Sequence, residues 1–62
     1  MTSIEYRQAI IDLVVELIPR DEHDRWLLTP HSALYGDWPA LAMHKGNEEA
    51  VYRLLFTLKQ GH

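Results

Sequence analysis

Arg25-Trp-Leu-Leu-Thr-Pro-His-Ser-Ala-Leu-Tyr-Gly-Asp-Trp-Pro-Ala-Leu41 is the stretch whose reading decides the fold. It lies at the centre of 62 residues and holds both tryptophans, two of the three prolines and one of the three glycines. A chain this short needs large side chains to fill a core, and Trp26 and Trp38 are its largest. Thr29-Pro30 stops whatever helix precedes it, because a proline disfavours helical geometry in the residue before it. Pro30 to Gly36 is too short for a full helix and predicts one loop of helical geometry around Ala33 and Leu34, with Leu34 as its core residue. Gly36 marks a left-handed position. Asp37 then reads as the cap of a further helix, about Trp38 to His44, with Pro39 in its first turn, where a missing amide costs nothing. Leu41 and Met43 are the side chains expected to face inward from it.

Working outward, Thr2-Ser-Ile-Glu5 reads as a capping box that opens a first helix. The helix should end about Ile18, before Pro19. Ile10, Val14 and Leu17 form one helical stripe, and Ile11, Val15 and Ile18 form a second beside it. One stripe suffices for a core. Two point to burial on both sides, the second against another chain; the alternative is that so small a protein simply exposes Val and Ile. Pro19 to Asp24 is a polar break, followed by a short helix from roughly Asp21 to Leu28. Toward the C-terminus, Gly46 predicts a left-handed helix end. Asn47 is expected to cap the last helix, with Glu48 and Glu49 in its first turn. Val51, Leu54, Leu55 and Leu58 should face the core, Tyr52 and Phe56 should form an aromatic strip on the flank or pack against a tryptophan, and Gly61 should end the helix. No segment alternates at period two, so strands are not expected.

Sixty-two residues allow one domain, 1–62, which buries only about 60% of the surface of its unfolded chain. There is no cysteine, so disulfides and thiolate zinc sites are closed as means of support. Tight packing or a partner chain remains. No signal peptide or membrane span is visible, because Asp12 and Glu16 break the longest apolar run; the expected location is the cytoplasm. The net charge is −3, and the six Lys and Arg are scattered, which argues against a nucleic-acid surface. His23, His31, His44 and His62 include no pair three to five apart, so no helix face presents two as metal ligands, and no cofactor is expected. A nucleophile reading would use Ser32 with His31 or His23 and Asp24 or Asp37. So small a domain rarely offers a pocket that excludes water, and the expectation is a non-enzymatic protein.

The central residues also form an ordered pattern: Trp26-Leu27, Thr29-Pro30, Leu34, Gly36, Pro39, Gly46, Glu49, Val51 and Gly61. It resembles the toxin-binding domain of the Xre/MbcA/ParS antitoxins. That family shows a Trp-Leu before a Thr-Pro-Asn turn, a Leu near a Gly, a Pro opening the next helix, a Gly-x-x-Glu leading the last one, and a final Gly. Here His31 stands in place of the turn's Asn, and Trp38 fills the variable place before the Pro. The likeness covers about Ile4 to Gly61; each element is weak alone, and their order and spacing carry it.

The resemblance implies an all-α, compact bundle of three to four short helices that homodimerises and binds a RES-domain toxin, a class that consumes NAD. The antitoxin would cover the toxin's active-site entrance, with Tyr52, Phe56, Lys59, Gln60, Gly61 and His62 as the contact surface. Family members carry an N-terminal helix-turn-helix region, whereas this sequence starts almost at the first helix of the toxin-binding domain, so direct DNA binding is not expected. Only His62 follows Gly61, so a plug made from a longer tail is expected to be largely missing. The alternative from another class is a small helical DNA-associated regulator or accessory subunit, with the Trp38 helix entering a groove.

Overall fold

The computed structural model describes residues 2–61, and among them the chain is all-helical without strands. Four α-helices run in order: α1 (Ser3–Leu17), α2 (His23–Leu27), α3 (Pro39–His44) and α4 (Glu48–Gln60). Two 3-10 turns, Arg20–Glu22 and Ser32–Leu34, precede α2 and α3. The radius of gyration is 10.6 Å, against about 10.5 Å for a folded unit of this length.

The capping box at α1 is complete. Thr2 Oγ1 accepts from the Glu5 amide at 3.2 Å, and Glu5 Oε1 accepts from the Thr2 amide at 3.3 Å. Two of the amides that a helix start leaves unpaired are thereby satisfied. At the other end Ile18 is extended, as its position before Pro19 requires. α1 lies along α4, and the two, with the central turn, enclose the core of Ile10, Val14, Leu34, Ala42, Val51 and Leu55. Trp26, Leu17, Met43, Tyr52 and Leu54 pack against its edge.

Leu34 is wholly buried, and the loop that delivers it is pinned by its own backbone. The His31 amide donates to the Asp37 carbonyl at 3.1 Å, while the Gly36 amide donates to the His31 carbonyl at 3.0 Å. This closure requires two successive left-handed residues, Tyr35 (φ 58°) and Gly36 (φ 86°). Glycine takes that conformation without strain; for a side chain such as tyrosine it costs about 1–2 kcal/mol.

Gly46 is the second left-handed glycine, at φ 85°. Its amide donates to Met43 and the Asn47 amide donates to Ala42, the pair of bonds of a Schellman helix end. Asn47 therefore serves α3 through its backbone rather than capping α4 through its side chain, which makes no capping bond. Its ψ of 41° lies outside the extended region from which a side chain reaches the first helical amides.

Other expectations are also corrected. Trp38, not Asp37, occupies the cap position of α3: the residue before a proline is held extended, and the helix begins at Pro39. Asp37 instead accepts from Lys45 Nζ at 3.0 Å. Trp38 is 38% exposed rather than a core filler, and Pro39 and Ala42 provide the buried face of α3, with Leu41 only half-buried. Leu58 is also 38% exposed, because it lies one turn beyond the level at which Leu55 closes the core. Gly61 ends α4 in right-handed geometry (φ −74°), its amide donating to Thr57.

Candidate functional site

Four helices around one small core leave little concave surface, so the candidate sites are the flanks of the two longer ones, α1 and α4. On α4, Tyr52 and Phe56 are one helical turn apart, and their rings stack with centroids 6.0 Å apart. Tyr52 is held from the other side by Tyr6 of α1, edge to face at 5.6 Å, rather than by either tryptophan. Such aromatic pairs contribute about 0.5–1.5 kcal/mol beyond their burial. Tyr52 is half-buried while Phe56 is 42% exposed, so the strip presents one fixed ring and one available ring.

The two rings line a shallow hollow of about 260 Å³ with Ala9, Leu13, Glu16 and Lys59. Lys59 Nζ lies 3.1 Å from Glu16 Oε2, an exposed pair that closes the far end of the hollow. Exposed pairs of this kind contribute about 0–1 kcal/mol, so Lys59 can exchange this partner for another at small cost. Gln60 and Gly61 follow on the exposed end of α4. Of the six residues expected to form a contact surface, Tyr52, Phe56 and Lys59 share the hollow, Gln60 and Gly61 extend it, and His62 lies outside the described residues.

A second surface lies on α1. The stripe expected to be buried by another chain is open: Ile11 is 53% and Val15 66% exposed, and Ile4, on the same side, is 80% exposed. Ile18 tucks against the core edge. Beside the stripe runs a groove of about 480 Å³, walled on the far side by Leu27, Ala40 and Met43. Arg7, His23 and His44 are its charged or titratable lining residues, and none of the ten residues around it is a carboxylate. The second stripe was visible in the α1 sequence. The far wall was not, because residues of α2 and α3 reach it only through the turns between them.

Glu48 is another residue that sequence spacing alone does not single out. It is 4% exposed, and its carboxylate oxygens lie 3.5 Å from Ser3 Oγ and Arg7 Nη2. It sits at the first position of α4, where the helix dipole favours negative charge, and it ties that end to the start of α1.

The residues weighed for nucleophilic chemistry do not assemble as a triad. His23 Nε2 is 2.8 Å from the Ile18 carbonyl, and Asp37 is engaged with Lys45. The His31 ring lies against Trp26, centroids 5.4 Å apart, with Nε2 buried and without a hydrogen-bond partner. Ser32 is exposed on its turn. Among the described residues no three His, Asp or Glu side chains converge as a metal-ligand set, and no helix is long and apolar enough to cross a membrane. Arg7, Lys45, Arg53 and Lys59 each face a carboxylate, so these four do not form a basic row.

Comparison of the chain with protein-family models, with curated proteins and with solved structures gives no significant match.

Proposed function

We propose that this domain is a non-enzymatic protein-binding module that acts as the toxin-binding part of a type II antitoxin, neutralising a RES-domain, NAD-consuming toxin. The observation that carries the reading is the aromatic strip on α4. Phe56 stands 42% exposed on a ring that is itself braced by Tyr6, beside an exposed lysine at the end of the helix. Pre-positioned aromatics lose little freedom on binding and carry much of the energy at interface centres.

The resemblance of the central residues to the Xre/MbcA/ParS pattern supplies the partner class. Five of its marks have a physical task in this chain. Thr29 Oγ1 bonds the Arg25 carbonyl at 2.6 Å and closes α2. Leu34 fills the core, Gly36 and Gly46 take left-handed conformations, and Pro39 packs inside at the start of α3. The pattern thus belongs to the scaffold, and the scaffold presents α4 as a rigid rod. In the proposed mechanism Tyr52 and Phe56 anchor the toxin, and Lys59, Gln60 and Gly61 lie across its active-site entrance. Inhibition is then steric exclusion of NAD rather than chemistry.

The test is direct. The purified chain is mixed with a RES-type toxin, and NAD consumption and co-elution are measured together. Binding with loss of NAD consumption is expected, and the Phe56→Ala variant should weaken both. Undiminished NAD consumption and separate elution across a panel of such toxins would overturn the proposal.

A further inference from the structure

Tyr35 strains the backbone yet adds little to the packing of the domain. It leaves the central turn in the left-handed conformation (φ 58°, ψ 34°), which a bulky side chain resists and which asparagine or glycine takes more easily. Its ring is 91% exposed, so the fold gains almost no burial from it. Strain at a residue whose side chain has no place in the core points to a contact outside the molecule. The ring of a tyrosine joins a large apolar face to a polar tip, and such rings are enriched where proteins meet their partners.

Tyr35 borders a hollow of about 410 Å³ between the central turn and α4. Ala33, Ala50 and Leu54 give the hollow its apolar part, and Asn47, Glu49 and Arg53 give it a polar wall. Asn47 makes no capping bond, so its carboxamide N–H groups are not engaged at the helix start. Arg53 Nη2 donates to Glu49 Oε1 at 2.6 Å, one bond from a guanidinium that carries five N–H donors. The Tyr35 hydroxyl, the Asn47 carboxamide and the rest of the Arg53 fork thus supply donors around an apolar floor. We infer that this hollow binds a proline-rich segment of a partner protein in the extended polyproline conformation, with Tyr35 as its principal contact.

Hydrogen-bond complementarity selects this occupant. A polyproline segment has no internal hydrogen bonds, and proline has no N–H, so its free carbonyls ask for donors alone. A partner helix keeps most of its carbonyls paired within itself. Sugar hydroxyls call for acceptors as well as donors. Glu49 offsets the charge of Arg53, so the wall offers no net field to a phosphate backbone. The proline rings meet the tyrosine face, the usual mode of aromatic-lined grooves, and the preformed segment loses little freedom on binding. From its cap Asn47 to Thr57 the helix advances about 15 Å at about 1.5 Å per residue. About five residues of polyproline cover that length at about 3.1 Å each. Tyr52, Phe56 and Lys59 lie on another flank of α4, around a separate hollow, so the inference stands or falls independently of the toxin reading.

The test adds a decaproline peptide, to millimolar concentration, to the isotope-labelled chain and follows its backbone amides by NMR. A glycine–serine peptide of equal length is the control. The proline peptide should move the amides of Tyr35, Gly36, Ala50 and Arg53 in a saturable way, and the control should not. Tyr35→Asn relieves the backbone strain and keeps the fold, yet it should weaken binding about tenfold or more. Arg53→Ala should weaken it too, whereas Leu28→Ala, at an exposed position outside the hollow, should leave it within about twofold. No response to the proline peptide, an equal response to the control, or unchanged affinity in folded Tyr35→Asn overturns the proposal. A response of the same amides to maltoheptaose and not to the proline peptide overturns it as well, and assigns the hollow to a sugar.

Discussion

Replacing Leu34 by alanine tests whether the central turn organises the domain. Leu34 has no exposed surface and reaches the core from a 3-10 turn of three residues, so no neighbour on its own element can move in to replace it. The change removes three carbons, about 2.4 kcal/mol at about 0.8 kcal/mol per buried methylene. A remaining cavity of about 50 Å³ adds about 1 kcal/mol at about 24 cal/mol per Å³. The expected loss is therefore about 3–4 kcal/mol. At about 0.05–0.15 kcal/mol per residue, a domain of this length has only about 3–9 kcal/mol in total. Leu34→Ala should lower the melting temperature by at least about 12 °C, since each kcal/mol shifts a domain of this size by about 4–8 °C. Thermal melts followed by far-UV circular dichroism measure this, with Leu28→Ala as the control. Leu28 is 63% exposed, and its replacement should cost under about 1 kcal/mol. Both variants are measured at one protein concentration. A shift below about 4 °C for Leu34→Ala, or equal shifts for the two leucines, would refute the assignment of the turn as the organiser of the core.

Three further outcomes follow from the same contacts. Tyr35→Asn should stabilise the domain by about 1 kcal/mol, because asparagine tolerates the left-handed conformation that tyrosine resists there, and the 91% exposed ring loses no packing; urea titration measures it, and a destabilised variant contradicts the strain. Thr2→Ala should cost about 1 kcal/mol and fray the first turn of α1, visible as faster amide hydrogen exchange near Glu5. Glu48→Gln keeps the volume but removes the charge; with Arg7 54% exposed, the loss should be only about 1 kcal/mol and should shrink in high salt, whereas a loss above about 3 kcal/mol would mean a far stronger clasp.

Features decided by one or two neighbouring residues were legible in the sequence. The capping box at Thr2, the stop before Pro19, and the left-handed Gly36 and Gly46 are local backbone requirements, and the structure meets each of them. Leu34 was legible as the one large aliphatic between two turn-forming prolines. Positions set by competition between elements were not. Asp37 and Asn47 both carry a capping side chain, yet Trp38 takes the cap because of Pro39, and Asn47 is drawn into the Schellman bonds of α3. Trp38 has the volume for a core but sits on the extended residue before the helix, so the smaller Pro39 and Ala42 enter instead. At the candidate surfaces, the spacing of Tyr52 and Phe56 announced the strip, but the brace from Tyr6 depends on α1 lying along α4. The acid-free groove likewise exists only once α3 is brought to face α1.

The packing of α1 on α4 also governs when folding can begin. The ribosome completes Leu17 forty-three residues before Gln60. At about 5–20 residues per second that interval lasts about 2–9 s. Throughout it Ile10 and Val14 lack the helix that will cover them, and they are displayed next to Ile11 and Val15 on the same emerging segment. A nascent chain thus presents both apolar stripes of α1, about half its girth, as exposed surface until α4 is made. That makes the emerging N-terminal segment a natural target for chaperones, and for proteases whenever translation stalls before Glu48.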